Sequence, residues 1–322
     1  MARRREGSGE VATGYLVGYL RGMGQTPHSA PVLTEHRDAW WSTDYLALVA
    51  KRLNLSRCMT VADIGCGQGH WGQRLLSALP TTASLTGIDG EATWVDTARR
   101  RAVALGTAER CRYEVGKAEA LPLPDDAFDL VTCQTLLMHV ANVCSVIAEM
   151  VRIVRPGGQL LFAEPNNVAQ QFSADTVNRA LTPAQVGSVM TLFTACSRGR
   201  DALGRGDDCV GDRLPALLQG LALVDLEVCQ NERACCIVPP YDAADVALLE
   251  QTLSYAEMGF WLWDRGDARL LYEAGGGQSE CFDKHYAAFS GRTKIFKTQV
   301  REQQYACNNG SLHYLVSARR PA

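Results

Sequence analysis

The chain has no run of about 18 consecutive apolar residues, the length that a bilayer-spanning helix requires. Low-complexity tracts and internal repeats are absent as well. Charge of one sign is scarce: 32 Lys and Arg stand against 35 Asp and Glu in 322 residues, a net charge of -3. Phosphate backbones are bound by concentrated basic faces, so neither a nucleic-acid nor a membrane partner is expected. The one short Arg cluster, MARRREG, reads as a solvated tail. The apolar stretch at 11–20 imitates a signal peptide, but Arg21 follows it with no small-residue cleavage site. There are twelve cysteines but no CxxC pair, and Cys235 and Cys236 are adjacent. A disulfide framework is therefore not indicated; free buried thiols in a reducing cytoplasm are expected. A zinc site from Cys229, Cys235 and Cys236 would lack its second half, and no metal is expected.

What the chain does have is alternation. CMTVADIG is a short apolar run stopped by glycine, as a buried parallel strand would be, and HWGQRLLSALP follows with helical spacing. SLTGID, CRYEVG, FDLVTCQ and GQLLFAEP repeat the strand pattern. The helices between them carry Val95, Ala98 and Ala102, then Val143, Val146, Ile147, Met150, Val151 and Val154, the last helix stopped by RPGG. Right-handed crossovers between such strands give a parallel sheet with helices on both faces. Beyond Pro165, Thr182 with Pro183 and Gln185 predicts a capped helix start. Residues 197–212 read as loop, LVDLEVCQNERA as a strand, and SLHYLVSARR as a last strand, antiparallel at the sheet's far side. The expected organisation is an N-terminal helical lid at 1–57, a ligand-binding core at 58–165, and the rest of the sheet at 166–322. Helical insertions at 166–210 and 241–304 belong to that last part.

VADIGCGQGHWG, residues 61–72, places glycines after the first strand, where backbone approaches a ligand closely and a helix offers its positive end. Gly67, Gly69 and Gly72 satisfy the dinucleotide spacing GxGxxG, but that register begins three residues after Ile64, whereas the tight turn should open as the strand ends. Starting at Gly65 gives GxGxG. Asp63 decides between them. An anionic diphosphate gains nothing beside a carboxylate two residues before the turn, and like charges at that range repel. A ligand bearing ammonium and sulfonium groups is attracted. Asp89, ending the second strand, suits ribose hydroxyls, a feature that NAD sites share. Two carboxylates around a glycine turn fit S-adenosylmethionine better than NAD.

The segment from about 58 to 165 resembles the class I S-adenosylmethionine-dependent methyltransferases, of the group that includes the ubiquinone and menaquinone C-methyltransferases and many small-molecule enzymes. VADIGCGQG resembles the family's first motif, TGIDGE its second, VGKAEALPLPDDAFDLVTCQTLLMHV the adenine-side motif with the fourth strand, and RPGGQLLFAEP the close of the core. The resemblance implies a Rossmann-like seven-stranded α/β sheet, with cofactor at the C-terminal edges of the first four strands. It implies that Gly65, Cys66 and Gly67 shape the loop around the methionine part with Asp63 near its ammonium. It further implies that Asp89 and Gly90 meet the ribose, that Ala118 offers its backbone to adenine, and that Gln134 sits near the donor. Lys117 stands where many relatives have Asp and cannot accept a bond from the adenine amino group; Glu119 is the candidate substitute, and a solvent-facing Lys117 the alternative.

Methyl transfer is an in-line displacement, so positioning and exclusion of water matter, and a phenol or alcohol acceptor usually wants a base. His139, just after the fourth strand, is one candidate base; bracing the following helix is its structural alternative. Glu164, ending the fifth strand, is the other, against a role capping the chain after Asn166. His70 is expected to cap its helix; His28 and His36 lie in the N-terminal segment. Tyr15, Tyr19, Trp40 and Trp41 before the core, and Tyr255, Phe260, Trp261, Trp263 and Tyr272 late in the chain, suggest an aromatic lid, with Trp41, Asn166 and Trp261 as substrate contacts, or else plain packing. IVPPYDA looks like the site of base-amino methylating enzymes, but valine occupies the position of its polar acceptor. The expectation is a cytoplasmic enzyme that methylates N or O, or else C, of a small apolar or aromatic metabolite in specialised metabolism. A non-catalytic binding module is the alternative, and the early helices are a candidate homodimer surface.

Overall fold

The computed structural model describes residues 37–38, 40–232, 234–259, 263–309 and 312–322. The strands are β1 (Thr60–Ile64), β2 (Ser84–Asp89), β3 (Cys111–Val115), β4 (Phe128–Gln134), β5 (Val154–Pro165), β6 (Val224–Gln230), β7 (Cys235–Ile237), β8 (Cys307–Asn309) and β9 (His313–Arg319). The helices are α1 (Thr43–Arg52), α2 (His70–Leu76), α3 (Ala92–Ala104), α4 (Val143–Ile153), α5 (Thr176–Arg179), α6 (Pro183–Ala202), α7 (Val210–Gln219), α8 (Ala243–Met258), α9 (Arg265–Ala274) and α10 (Phe282–Arg301).

Seven strands form one sheet in the order β3-β2-β1-β4-β5-β9-β6. β1 to β5 are parallel, and β9 runs antiparallel between β5 and β6. β4 is buried along its whole length, as expected of a central strand covered on both faces. One face packs Val61, Leu85, Leu130 and Leu161 against Trp41, Leu46, Val49, Trp71 and Leu75; the other packs Ile64, Val131 and Phe162 against Val146, Ile147, Met150 and Leu214. The described part of the expected lid, α1 and Trp41, thus belongs to the sheet's own core. Chain order reverses between β1 and β4, so the crevice of an open α/β sheet lies at the C-terminal ends of these two strands.

Three expectations need revising. Val154 opens β5 instead of closing α4, because the RPGG stretch is a bulge inside the strand. Val154 pairs with Phe128, and Gln159 is next in register opposite Leu130. Gly157 takes φ +75° there, and its N–H donates to the carbonyls of Arg320 and Pro321. Residues 197–202 continue α6, and 210–212 open α7, so the loop between them is shorter than the glycines suggest. The alternating stretch after Leu223 ends its strand at Gln230; Cys235–Ile237 pairs instead with Cys307–Asn309 in a separate two-stranded ribbon. That ribbon closes the long excursion between β6 and β9 at its base.

The helical additions have cores of their own. Thr182 and Gln185 exchange side-chain and backbone bonds at the start of α6, with Pro183 in the first turn, as expected. α6 presents Val189, Leu192, Phe193 and Cys196 to Ala268, Leu271 and Tyr272 of α9 and to Phe282 and Phe289 of α10. Val177, Ile237, Leu249 and Tyr305 form a second, smaller cluster. Among the described residues, no helix is long and apolar enough to cross a membrane.

α6 and α9 approach to backbone contact at Gly199, where an added Cβ would lie 1.8 Å from the Leu271 carbonyl oxygen. Gly199→Ala must push the helices apart and is expected to cost at least about 1–3 kcal/mol. Gly291 in α10 has nothing within 4 Å of its Cβ position. Gly291→Ala should therefore stabilise by up to about 1 kcal/mol through helix propensity. Chemical denaturation of both variants tests the packing; equal shifts in one direction would refute it.

Candidate active site

The turn after β1 begins at Gly65, in the register that starts as the strand ends. Gly65, Gly67 and Gly69 take φ of +66°, +51° and +80°, conformations that side chains rarely adopt. The N–H groups of Gly65 and Cys66 both donate to the Ile88 carbonyl, at 2.7 and 3.0 Å, tying the turn to the end of β2. Gly67 N–H donates to Asp89 Oδ2 at 2.8 Å, and Glu91 N–H to Asp89 Oδ1 at 2.9 Å. Asp89 is thus a clamp on the turn, and its remaining lone pairs are what it offers a ligand hydroxyl. Burial raises its pKa, and the two N–H bonds oppose that rise. The third glycine of the rival register, Gly72, serves close packing: a Cβ there would lie 2.6 Å from Asp63 Oδ2 and 2.9 Å from Leu85.

Asp63 is wholly buried beneath α2. Its Oδ2 accepts the Gly72 N–H at 3.0 Å, whereas Oδ1 has no hydrogen-bond partner among the described residues. Burial pushes its carboxyl up to about 8; the Gly72 N–H pulls the other way, and the charge of Asp89 adds to the rise. A cation arriving at Oδ1 would reverse that shift. Cys66 is buried beside it, with its thiol held well above the usual range by burial first.

At the ends of β4 and β5 the geometry is set by Glu164, which is also wholly buried. Its Oε1 accepts from the N–H groups of Leu136 and Leu137, both at 2.9 Å, and from Cys133 Sγ at 3.5 Å. It therefore caps the short turn Leu137–His139 after β4, not the chain beyond Asn166. Oε2 is left with no partner among the described residues, and burial pushes the carboxyl up to about 7. Gln134 is 5% exposed, and its Nε2 has no partner among the described residues either. His139 ends the turn on the exposed side, so the two candidate bases share one turn but not one environment.

The other expected residues fall less centrally. Ala118 is half-buried against the sheet core, while Lys117, Glu119 and Gly90 are exposed. Asn166 is fully engaged: its Oδ1 accepts from Val168 N–H, Ala169 N–H and Cys209 Sγ, and its Nδ2 donates to Asp212. Trp41 is 1% exposed and packs against Trp71 and Tyr45 in the core. Tyr272 lies in the α6–α9–α10 core, its hydroxyl 2.9 Å from His285 Nδ1. Trp263 lies under the Arg200 guanidinium. Trp261, Phe260, Tyr15, Tyr19, His28 and His36 are outside the described residues.

Two residues that the sequence reading passed over are central. Arg37 is buried at the strand ends, donating from Nη1 to Thr135 Oγ1 at 3.0 Å, with its guanidinium 4.8 Å over the Trp40 ring. Asp38 accepts from Arg101 and meets His70 Nδ1 at 3.0 Å. His70 therefore does not cap α2, whose N-cap is Gly69; it docks residues 37–38 to the glycine turn. No periodicity or motif marks this pair in the sequence; adjacent Arg and Asp in an irregular segment look like surface.

Residues 55–201 match a family model described as a methyltransferase domain. An uncharacterized methyltransferase of Bacillus subtilis, YcgJ, is 31% identical over 145 residues, covering 44% of this chain and 55% of that protein. Methyltransferase GfsG of Streptomyces halstedii is 28% identical over 212 residues, covering 64% of this chain and 69% of that one. A demethylmenaquinone methyltransferase of Bacillus licheniformis is 32% identical over 112 residues, covering 35% and 47%. The chain thus spans about half the length of the first of these relatives.

Asp63 and Glu164 are held above their unfolded pKa values, so the folded chain binds more protons than the unfolded one between about pH 4 and 8. Their contribution to stability is full below the unfolded values and is lost as pH rises through about 7 and 8. Ligand-free protein should lose on the order of a few kcal/mol across that window. The double variant Asp63→Asn, Glu164→Gln should flatten the fall. Denaturant midpoints at pH 5 and 8 measure it; parallel curves for variant and wild type would show that burial does not govern these acids.

Proposed function

From the premise that residues 55–201 are a methyltransferase domain, we propose that the chain transfers the methyl group of S-adenosylmethionine to nitrogen or oxygen of a small, largely apolar or aromatic metabolite in the cytoplasm, in a specialised biosynthetic route. The observation that carries this reading is the glycine turn bracketed by Asp63 and Asp89, with one Asp63 oxygen left unbonded. An anionic diphosphate would meet two carboxylates there; an ammonium-bearing ligand meets complementary charge.

When bound, S-adenosylmethionine supplies an electrophilic methyl on a positively charged sulfur. The chain's own part is to bind, orient and exclude water. Gly65, Cys66 and Gly67 let the backbone approach the methionine part, Asp63 Oδ1 offers its open lone pairs to the ammonium, and Asp89 offers the ribose hydroxyls what its clamp leaves free. Ala118 presents main chain on the adenine side, where exposed Lys117 and Glu119 flank it. Gln134 Nε2 has hydrogens to donate at the same edge. Glu164, with a carboxyl near neutrality and an open Oε2, is suited to take a proton from an acceptor N–H or O–H. His139 is the second candidate, on the exposed side of the turn.

Isothermal titration should show S-adenosylhomocysteine binding and no binding of NAD. Asp89→Ala unclamps the turn and should weaken that affinity at least about tenfold, or 1.4 kcal/mol. At saturating cofactor, Glu164→Gln should lower kcat by about 100-fold or more if it is the base, while His139→Ala changes it little. Tritiated-methyl transfer into a metabolite extract reads turnover. Binding of NAD in preference to S-adenosylhomocysteine would overturn the assignment.

A further inference from the structure

Thr135 is the strained point of the ligand edge. It follows Gln134 at the end of β4 and takes φ +50°, in the left-handed region. Among the described residues, the others with side chains at positive φ are Asn54, Asp126, Asp225 and Gln303. Asn and Asp tolerate that region, and Gln303 stands just past the end of α10, where chains commonly leave a helix in this way. Thr135 is different. It is β-branched, which makes such a φ an outlier, and it is buried, with 7% of the residue exposed. Backbone strain of this kind persists only where the surroundings hold it, and it gathers at functional sites. Glycine would occupy the position without strain, so the hydroxyl is what threonine adds.

The contacts of this residue lead to Glu164 by two routes. Its N–H still pairs as a strand residue, donating to the Ala163 carbonyl at 3.0 Å. The chain then turns, and the next two N–H groups, of Leu136 and Leu137, converge on Oε1 of Glu164 at 2.9 Å each. The side chain takes the second route: Oγ1 accepts from Arg37 Nη1 at 3.0 Å. Burial lowers the Arg37 pKa to about 10, while the charges of Glu164 and of Tyr255 in α8 oppose that fall. The guanidinium that Thr135 holds therefore acts on the same carboxyl. Cys133 of β4 faces that carboxyl as well, its thiol donating to Oε1.

We infer that Thr135 is the positioning residue of the Glu164 carboxyl: its left-handed backbone brings two N–H groups onto Oε1, its hydroxyl fixes the Arg37 guanidinium, and Oε2 is the oxygen left to receive the acceptor's proton. This rests on the methyl-transfer reading with Glu164 as its base. Thr135 acts through Glu164 and exchanges no proton itself. Both routes favour the ionised carboxyl, against the burial that favours the protonated one. Without them the carboxyl would keep its proton at neutral pH and could take none from an acceptor N–H or O–H.

Carbon-13 NMR of protein labelled at the glutamate carboxyl reads this directly, titrated from about pH 5 to 9 with and without S-adenosylhomocysteine. The Glu164 resonance is the one missing from Glu164→Gln. Thr135→Val keeps the branched shape and loses the hydroxyl, so the Glu164 midpoint should rise by about 0.5 unit or more. Thr135→Gly also frees the backbone, and its midpoint should rise further. Thr135→Ser keeps the hydroxyl and should stay within about 0.2 unit of wild type. A rise of 0.5 unit leaves about threefold less ionised carboxyl below the midpoint, and tritiated-methyl transfer into a metabolite extract should fall with it. A merely structural role would lower the melting temperature and leave the midpoint in place. Unmoved midpoints in Thr135→Val and Thr135→Gly overturn the inference, as does a Thr135→Ser midpoint displaced as far as that of Thr135→Val. Glycine accepts this φ, so Thr135→Gly decides alone should the valine variant not fold. Failure of S-adenosylhomocysteine to bind, or unchanged turnover in Glu164→Gln, would instead remove the underlying reading. The carboxyl titration on free protein is independent of both, so the failures are distinguishable.

Discussion

The clamp that Asp89 places on the glycine turn is the interaction on which the site depends. A turn whose residues sit at positive φ has no regular ladder to hold it, and its N–H groups need partners elsewhere. Ile88 and Asp89 supply three of these bonds from the end of β2, so the neighbouring strand sets the shape of the turn. The same end of β2 opens α3 through the Asp89 bond to Glu91. One carboxylate therefore ties the glycine turn after β1 to the start of α3. On the β4 side the turn packs closely on Leu136: a Cβ at Gly65 would lie 2.6 Å from that side chain, so the position admits only glycine.

Around that crevice the chain concentrates groups that a stable core would avoid. Asp63, Glu164, Gln134 and Arg37 are all buried at the sheet's ligand edge. A protein interior tolerates such groups when each is hydrogen-bonded, and here one atom each of Asp63, Glu164 and Gln134 is not. The rest of the fold offsets this locally unfavourable arrangement: a fully buried β4, apolar layers on both faces, and helical clusters with their own interiors. Perturbed buried acids and unpartnered polar atoms brought together at the C-terminal ends of β1, β4 and β5 are the pattern expected of a functional site.

The helical additions enter through a narrow base. β7 and β8 join the two ends of the excursion between β6 and β9, and the helices beyond them pack chiefly on one another and on α6. The glycine turn and its acids belong to the sheet; Tyr255 is supplied by the excursion.

The alternation of strands and helices, the opening of the turn at Gly65, and the capped start of α6 were legible in the sequence, because each follows from contacts within a few residues: apolar periodicity, a strand's end, a hydroxyl three residues before a glutamine. Val154, the β7–β8 ribbon and the length of α6 were not, since long-range pairing with Phe128, Cys307 and α9 overrides the local breakers there. The acids at 63, 89 and 164 could be named from position in the chain. What each does was decided by tertiary structure, because a carboxylate's role depends on which N–H groups reach it and how much water it keeps. Arg37 shows the limit most clearly. Nothing near it in sequence distinguishes it from a surface arginine, and only its placement beside Thr135 at the end of β4 takes its charge out of water.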